Sequence, residues 1–128
     1  MNALKLILPL LLALSPTAAS GRDWFVREGA TGDGTKDKPF GDPWEVLEKC
    51  EAGDAIHIAA GRYIGKLQTG QWTIPFDGIQ VLGGYNADFT KRDPWANHSK
   101  LVYDKNAKNW PKDARIWVTV KDVVIDGL

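Results

Sequence analysis

The stretch GDAIHIAAGRY, Gly53 to Tyr63, sets an apolar–polar–apolar triplet, Ile56-His57-Ile58, between glycines suited to turns. Three similar apolar-rich triplets follow it: Ile79-Gln80-Val81, Leu101-Val102-Tyr103 and Val123-Val124-Ile125. Their starts lie 23, 22 and 22 residues apart. A near-constant period of this size is the mark of stacked repeats. No helical segment lies between the triplets, whereas a βαβ sheet joins its parallel strands through a crossover that is normally helical. The connections hold Gly, Asn, Asp and Pro, and one carries a further short strand, Ile116 to Val120. Leucine-rich repeats share the period, but their asparagine-and-leucine pattern is missing here. Short strands of a β-sandwich falling by chance at this spacing are the alternative. The best-fitting expectation is an all-β fold, a right-handed parallel β-helix with about 22 residues and up to three short strands per coil.

Upstream, Trp24-Phe25-Val26 reads as a strand, and residues 28–42 as a loop rich in Gly, Asp, Thr and Pro. Within it, GATGDGTKDKPF spaces Gly29 and Gly34 as a phosphate-binding loop would. Such a loop needs lysine directly after its last glycine and a helix starting there. Here Thr35 follows Gly34, Pro39 intervenes and the helix waits until Asp42-Pro43, so the segment reads as a turn. Asp42 suits an N-cap, Pro43 the first helical position, and Glu45 completes a capping box. Trp44, Leu47 and Cys50 form one apolar stripe, and Ala52-Gly53 ends a helix of about two and a half turns.

Residues 1–20 have the order of a secretory signal peptide: Lys5, an apolar run from Leu6 to Leu14, then SPTAAS. The run is too short to span a bilayer, which takes about 20 apolar residues. Cleavage before Gly21 leaves a single small domain, 21–128, expected outside the cell or at its surface. Losing Lys5 leaves 15 basic against 16 acidic side chains, so nothing favours nucleic acid as a partner. Cys50 is the lone cysteine, which excludes an internal disulfide and reads as a buried apolar residue.

The order of Trp24-Phe25-Val26, GATGDGTKDKPF, a capped helix, GDAIHIAAGRY, GIQVLGGYNADFTKRDP and VVIDGL resembles the N-terminal part of secreted right-handed parallel β-helix proteins. These are the pectate-lyase-like superfamily, with chondroitinase-B-like and polymorphic outer-membrane-type relatives. The resemblance implies that the short helix caps the solenoid and that further coils of the same chain follow Leu128, the given chain being a truncated portion. It also implies a polysaccharide lyase or hydrolase, with calcium as an ion of the full-length protein and catalytic coils beyond Leu128. A non-enzymatic surface or adhesin-type repeat protein is the alternative.

No catalytic residue is nominated. Asp54, Asp77, Asp122 and Asp126 are scattered singly at turns and strand ends, and neither Arg115 nor Lys121 has an acidic cluster beside it. No metal ligand set is evident either: His57 has no partner at ligand spacing, and His98 falls in a distant loop. Asn97-His98-Ser99 matches a glycosylation sequon. Sugars stack their apolar faces on aromatic rings, so Trp72, Trp95 and Trp110, which lie outside the repeated triplets, are the candidate polysaccharide-binding residues. Trp24, Trp44 and Trp117 read as core or cap.

Overall fold

The computed structural model describes residues 21–64, 72–102 and 116–128. The signal segment 1–20, Trp110, Arg115 and the side chain of Trp117 lie outside the described residues. In chain order the elements are β1 (Asp23–Val26), α1 (Pro43–Leu47), β2 (Ala55–Ala59), β3 (Gly61–Ile64), β4 (Trp72–Ile74), β5 (Gln80–Tyr85), β6 (Ser99–Val102), β7 (Ile116–Val118) and β8 (Val124–Asp126). Strands β1, β2, β5 and β8 form a four-stranded sheet in that order, and the pairs β3–β6 and β4–β7 form two small sheets. All of these strand pairings are parallel.

This small mixed arrangement corrects the expected all-β solenoid of about 22 residues per coil. In the large sheet Asp23 pairs with Ala55, Ala55 with Gln80 and Gln80 with Val124, steps of 32, 25 and 44 residues. Leu101-Val102, the third member of the expected series, is not in that sheet at all. It belongs to β6 and lies beside Tyr63-Ile64. The physical reason is that an apolar triplet marks a strand with a buried face, not the sheet it joins. The β1–β2 connection carries a loop and a helix, and the β5–β8 connection passes through β6 and β7, so the steps are unequal.

The inward residues of the sheets build one core. Trp24 and Val26 of β1, Ile56 and Ile58 of β2, Tyr63, Trp72, Ile74 and Val81 meet Phe40, Val46, Leu47 and Cys50 there. His57, between two fully buried isoleucines, takes the other face of β2, as strand alternation requires.

Helix α1 begins as its sequence dictates. Asp42 accepts from the Trp44 backbone N–H at 2.8 Å, and Pro43 occupies the first turn. Glu45 reaches back to the Gly41 N–H at 3.3 Å, one residue before the cap position expected for it. The helix is shorter than expected, ending at Leu47, with the N–H groups of Lys49 and Cys50 both turned onto the Val46 carbonyl. Its buried face is Pro43, Val46 and Leu47, and Trp44 is only half-buried. The element lies in the β1–β2 connection and packs on β2. Cys50 beyond it is buried, and burial, with the Asp54 charge adding, pushes its thiol up to about 11. Such a thiol is protonated and inert at neutral pH.

The glycine loop folds back along β1. Phe25 donates to Gly34 O and Arg27 to Phe40 O, while Phe40 donates to Phe25 O. Phe40 thereby stacks on Trp24, with ring centroids 5.9 Å apart. Gly34 has φ +90°, and a Cβ there would lie 2.6–2.7 Å from the Phe40 and Trp24 rings, so only glycine fits. The N–H groups of Gly32, Asp33 and Gly34 are all taken by Pro39 and Lys38 carbonyls. They are therefore not directed at a phosphate.

Among the described residues two polar or charged residues, Asp54 and Ser99, are buried. Asp54, 3% exposed, accepts from Arg22 N at 2.8 Å, Trp24 Nε1 at 2.9 Å and Glu51 N at 2.9 Å. It ties the start of β1 to the turn before β2, a structural role that its place at a Gly-Asp turn does not announce. Ser99, 2% exposed, accepts from Gly84 N at 2.9 Å and has Ile58 O and Ala59 O each at 3.0 Å. It joins β2, β5 and β6. The sequon's hydroxyl is thus inside the fold, and its Asn97 amide donates to Gly84 O. Ser99→Ala, which leaves the Gly84 N–H unpaired, is expected to lower stability by about 1–2 kcal/mol in urea unfolding of the full chain.

Candidate functional sites: an exposed tryptophan and an Asp–His–Tyr row

The three candidate tryptophans part company. Trp72 is fully buried on β4, inside the core, and has no face to offer a sugar. Trp110 lies outside the described residues. Trp95 is 92% exposed, the most exposed large apolar side chain among the described residues.

Local structure explains that exposure. Asp93 accepts from the N–H groups of Trp95 and Ala96 through Oδ1, and its carbonyl takes those of Ala96 and Asn97, closing a turn. Pro94 packs onto Gly84, which has φ +88° and no Cβ to obstruct it. His98 Nε2 donates to Trp95 O at 3.0 Å. The backbone around Trp95 is pinned on both sides while its indole projects into solvent. Pro94, Trp95, His98, Ser99 and Lys100, with Gly127 and Leu128, line a cleft of about 370 Å³.

A second constellation lies on the outer face of the large sheet. His57 Nε2 is 2.9 Å from Asp23 Oδ1, and His57 Nδ1 is 2.8 Å from Tyr85 Oη. Parallel pairing places Asp23 and His57 on neighbouring strands, with Phe25 opposite His57 in register. Tyr85 arrives by an irregularity. His57 pairs with Leu82 but Ala59 with Tyr85, so β5 carries one extra residue there. That bulge re-aims Tyr85 to the face that His57 occupies.

Aromatic rings enclose the row. Phe25 stacks on His57 at 4.9 Å, Tyr85 meets His57 edge-on at 5.2 Å, and Phe89 contacts Phe25 at 5.0 Å and Tyr85 at 5.9 Å. Phe89 is buried with φ +60°, a costly conformation for a bulky side chain. Arg92 completes the surroundings. Its guanidinium lies 6.0 Å from the Tyr85 ring, its Nε donates to Gly83 O, and its Nη2 lies 3.1 Å from Asp126 Oδ2. Burial pushes the Tyr85 phenol up, the Arg92 charge opposes this and Asp23 adds to it.

His57 therefore has the partners that its own neighbourhood in the chain lacks. They come from 34 residues before and 28 residues after it, and no linear spacing links them. The one available signal is the polar residue on the outer face between two core isoleucines. The scattered aspartates stay apart: Asp54 is buried, Asp77 accepts from Lys121 N, and Asp126 pairs with Arg92. Among the described residues no three His, Cys, Asp or Glu side chains converge as a metal-ligand group.

Comparison of the chain with protein-family models, with curated proteins and with solved structures finds no match. The resemblance to pectate-lyase-like proteins has no support beyond the residues quoted for it.

Proposed function

We propose that this protein is exported and binds extracellular polysaccharide, with Trp95 as its stacking platform. The observation that carries the reading is the nearly complete exposure of Trp95 on a pinned turn at the edge of a cleft. Leaving an indole in water forgoes the gain of burying a large apolar surface, and a sugar's C–H face recovers it. Pro94 adds apolar surface beside the ring, Lys100 supplies hydrogen-bond donors for hydroxyls or carboxylates, and His98, its Nε2 proton given to Trp95 O, offers Nδ1 as an acceptor for a hydroxyl. The signal-like order of residues 1–20 supports a location where such polymers occur. Trp110 is retained as a second platform on its sequence context, whereas Trp72 acts through the core.

Affinity electrophoresis through gels containing neutral or acidic polysaccharides tests this with the full chain. Retardation by at least one polymer is expected, and Trp95→Ala is expected to weaken it about tenfold, the worth of roughly 1.4 kcal/mol of lost stacking. Unretarded migration in every gel, or equal retardation of the variant, would overturn the reading.

A further inference from the structure

We propose that Asp23, His57 and Tyr85 form a catalytic site in which the Tyr85 hydroxyl is an acyl-accepting nucleophile, His57 its general base and Asp23 the positioning residue. The arrangement has the logic of an activated nucleophile: a hydroxyl within hydrogen-bond reach of a base that a third group orients. The distances, 2.8 Å and 2.9 Å, meet that requirement.

The partners fix the direction of each hydrogen bond. An ionised Asp23 can only accept, so His57 carries its proton on Nε2. Nδ1 then presents a lone pair, and the Tyr85 hydroxyl donates to it. This is the tautomer a base needs. Stacking on Phe25 holds the imidazole plane, and the rings of Phe25 and Phe89 shield the His57–Tyr85 bond. His57 is 15% exposed in its side chain, against 65% for Asp23, and Tyr85 at the other end is half-buried, so the base is sheltered between two ends that remain partly open. The raised phenol is protonated at neutral pH, and its proton must pass to His57 as attack proceeds.

Charge selects the substrate class. Asp23 and Asp126, 65% and 64% exposed, flank the row, and Arg92 is already paired with Asp126. Phosphate or sulfate esters meet two carboxylates there, and the Arg92 guanidinium beside the Tyr85 ring is committed to Asp126, whereas an uncharged carboxylic ester meets no repulsion. In the step, Tyr85 Oη bonds to the ester carbonyl carbon and the bond from that carbon to the alcohol oxygen breaks. The phenolic proton passes to His57 Nδ1 and then to the departing alkoxide. Water then attacks the tyrosyl ester, giving one proton through His57 back to Oη and releasing the carboxylic acid. No oxidant or reductant enters.

The test treats the full chain with p-nitrophenyl acetate at neutral pH and follows acetylation of individual residues by peptide mass spectrometry. Tyr85 is expected to acquire the acetyl group at least about tenfold faster than N-acetyltyrosinamide under the same conditions. His57→Gln is expected to slow that labelling at least about tenfold and to abolish its rise with pH. Asp23→Asn is expected to slow it and displace the pH profile, a change that a purely structural role for Asp23 would not produce. Tyr85 labelled no faster than the free tyrosine amide overturns the proposal without recourse to any variant. An unchanged rate and pH profile in His57→Gln overturns it as well.

Discussion

Replacing Trp72 with alanine is expected to lower the stability of the chain by about 3–5 kcal/mol, measured as the shift in urea unfolding followed by circular dichroism. The indole is fully buried and belongs to the core cluster shared with Tyr63, Ile56 and Ile74. Strand β4 has only three residues and, among the described residues, pairs with β7, so its anchorage rests on its two buried side chains, Trp72 and Ile74, of which Trp72 is much the larger. Removing the ring leaves a cavity that the flanking strands cannot close without giving up their parallel register. Trp72→Phe is expected to cost less than half as much. It retains most of the apolar volume and deletes an indole N–H that has no acceptor among the described residues, so no described hydrogen bond is lost with it. Equal losses for the two variants would show that Trp72 is not held by packing.

A second large effect is expected at Asp54. Its carboxylate satisfies three donors at once, the N–H groups of Arg22 and Glu51 and the Trp24 indole. Asp54→Ala leaves these donors without their acceptor and is expected to cost about 3 kcal/mol near neutral pH. The pH dependence follows from the same contacts. Burial by itself pushes the carboxyl up, but the three hydrogen bonds, with the Arg22 charge, outweigh it and hold the group below its ordinary value of 3.8. A group depressed in the folded state binds its proton more readily in the unfolded chain. Its contribution is complete above about pH 4, near the unfolded value, and is lost as pH falls through the folded value. The gap in stability between the native chain and Asp54→Asn is therefore expected to be constant from pH 7 to about 5 and to narrow below about 4. A gap independent of pH down to 3 would show that the charge of Asp54 contributes nothing.

Asp54 also shows where a sequence reading stops. Asp after Gly before a strand is a common turn pair, and that reading is correct as far as it goes. The carboxylate's function comes from Arg22 and Trp24, 32 and 30 residues earlier, brought to it by the pairing of β1 with β2. His57 follows the same rule. Its face was legible from Ile56 and Ile58, but Asp23 and Tyr85 reach it only through sheet order and a bulge in β5. Trp72, near Gly70 and Asp77, and Trp95, near Asp93 and Asn97, both stand among turn-forming residues in the chain, yet one is wholly buried and the other almost wholly exposed. Their difference is made by what lies across from each. β4 covers the core with Trp72, whereas the turn of Asp93 to Asn97 lifts Trp95 away from it.

Local chemistry determined much by itself. The Asp42-Pro43 start of the helix, the strands around Ile56, Val81 and Ile125, the buried thiol of Cys50 and the failure of the glycine loop as a phosphate site all follow from side chains within a few residues of each other. Capping, alternation and turn formation are short-range, so the chain encodes them directly. The tertiary structure alone decided which strand pairs with which, at steps of 32, 25 and 44 residues rather than a repeated 22. It alone decided that β6 leaves the large sheet for β3, and that Asp23, His57 and Tyr85 meet. Parallel pairing joins residues through connections of any length, and connection length leaves no periodic trace when helix, loop and extra strands are spliced into it.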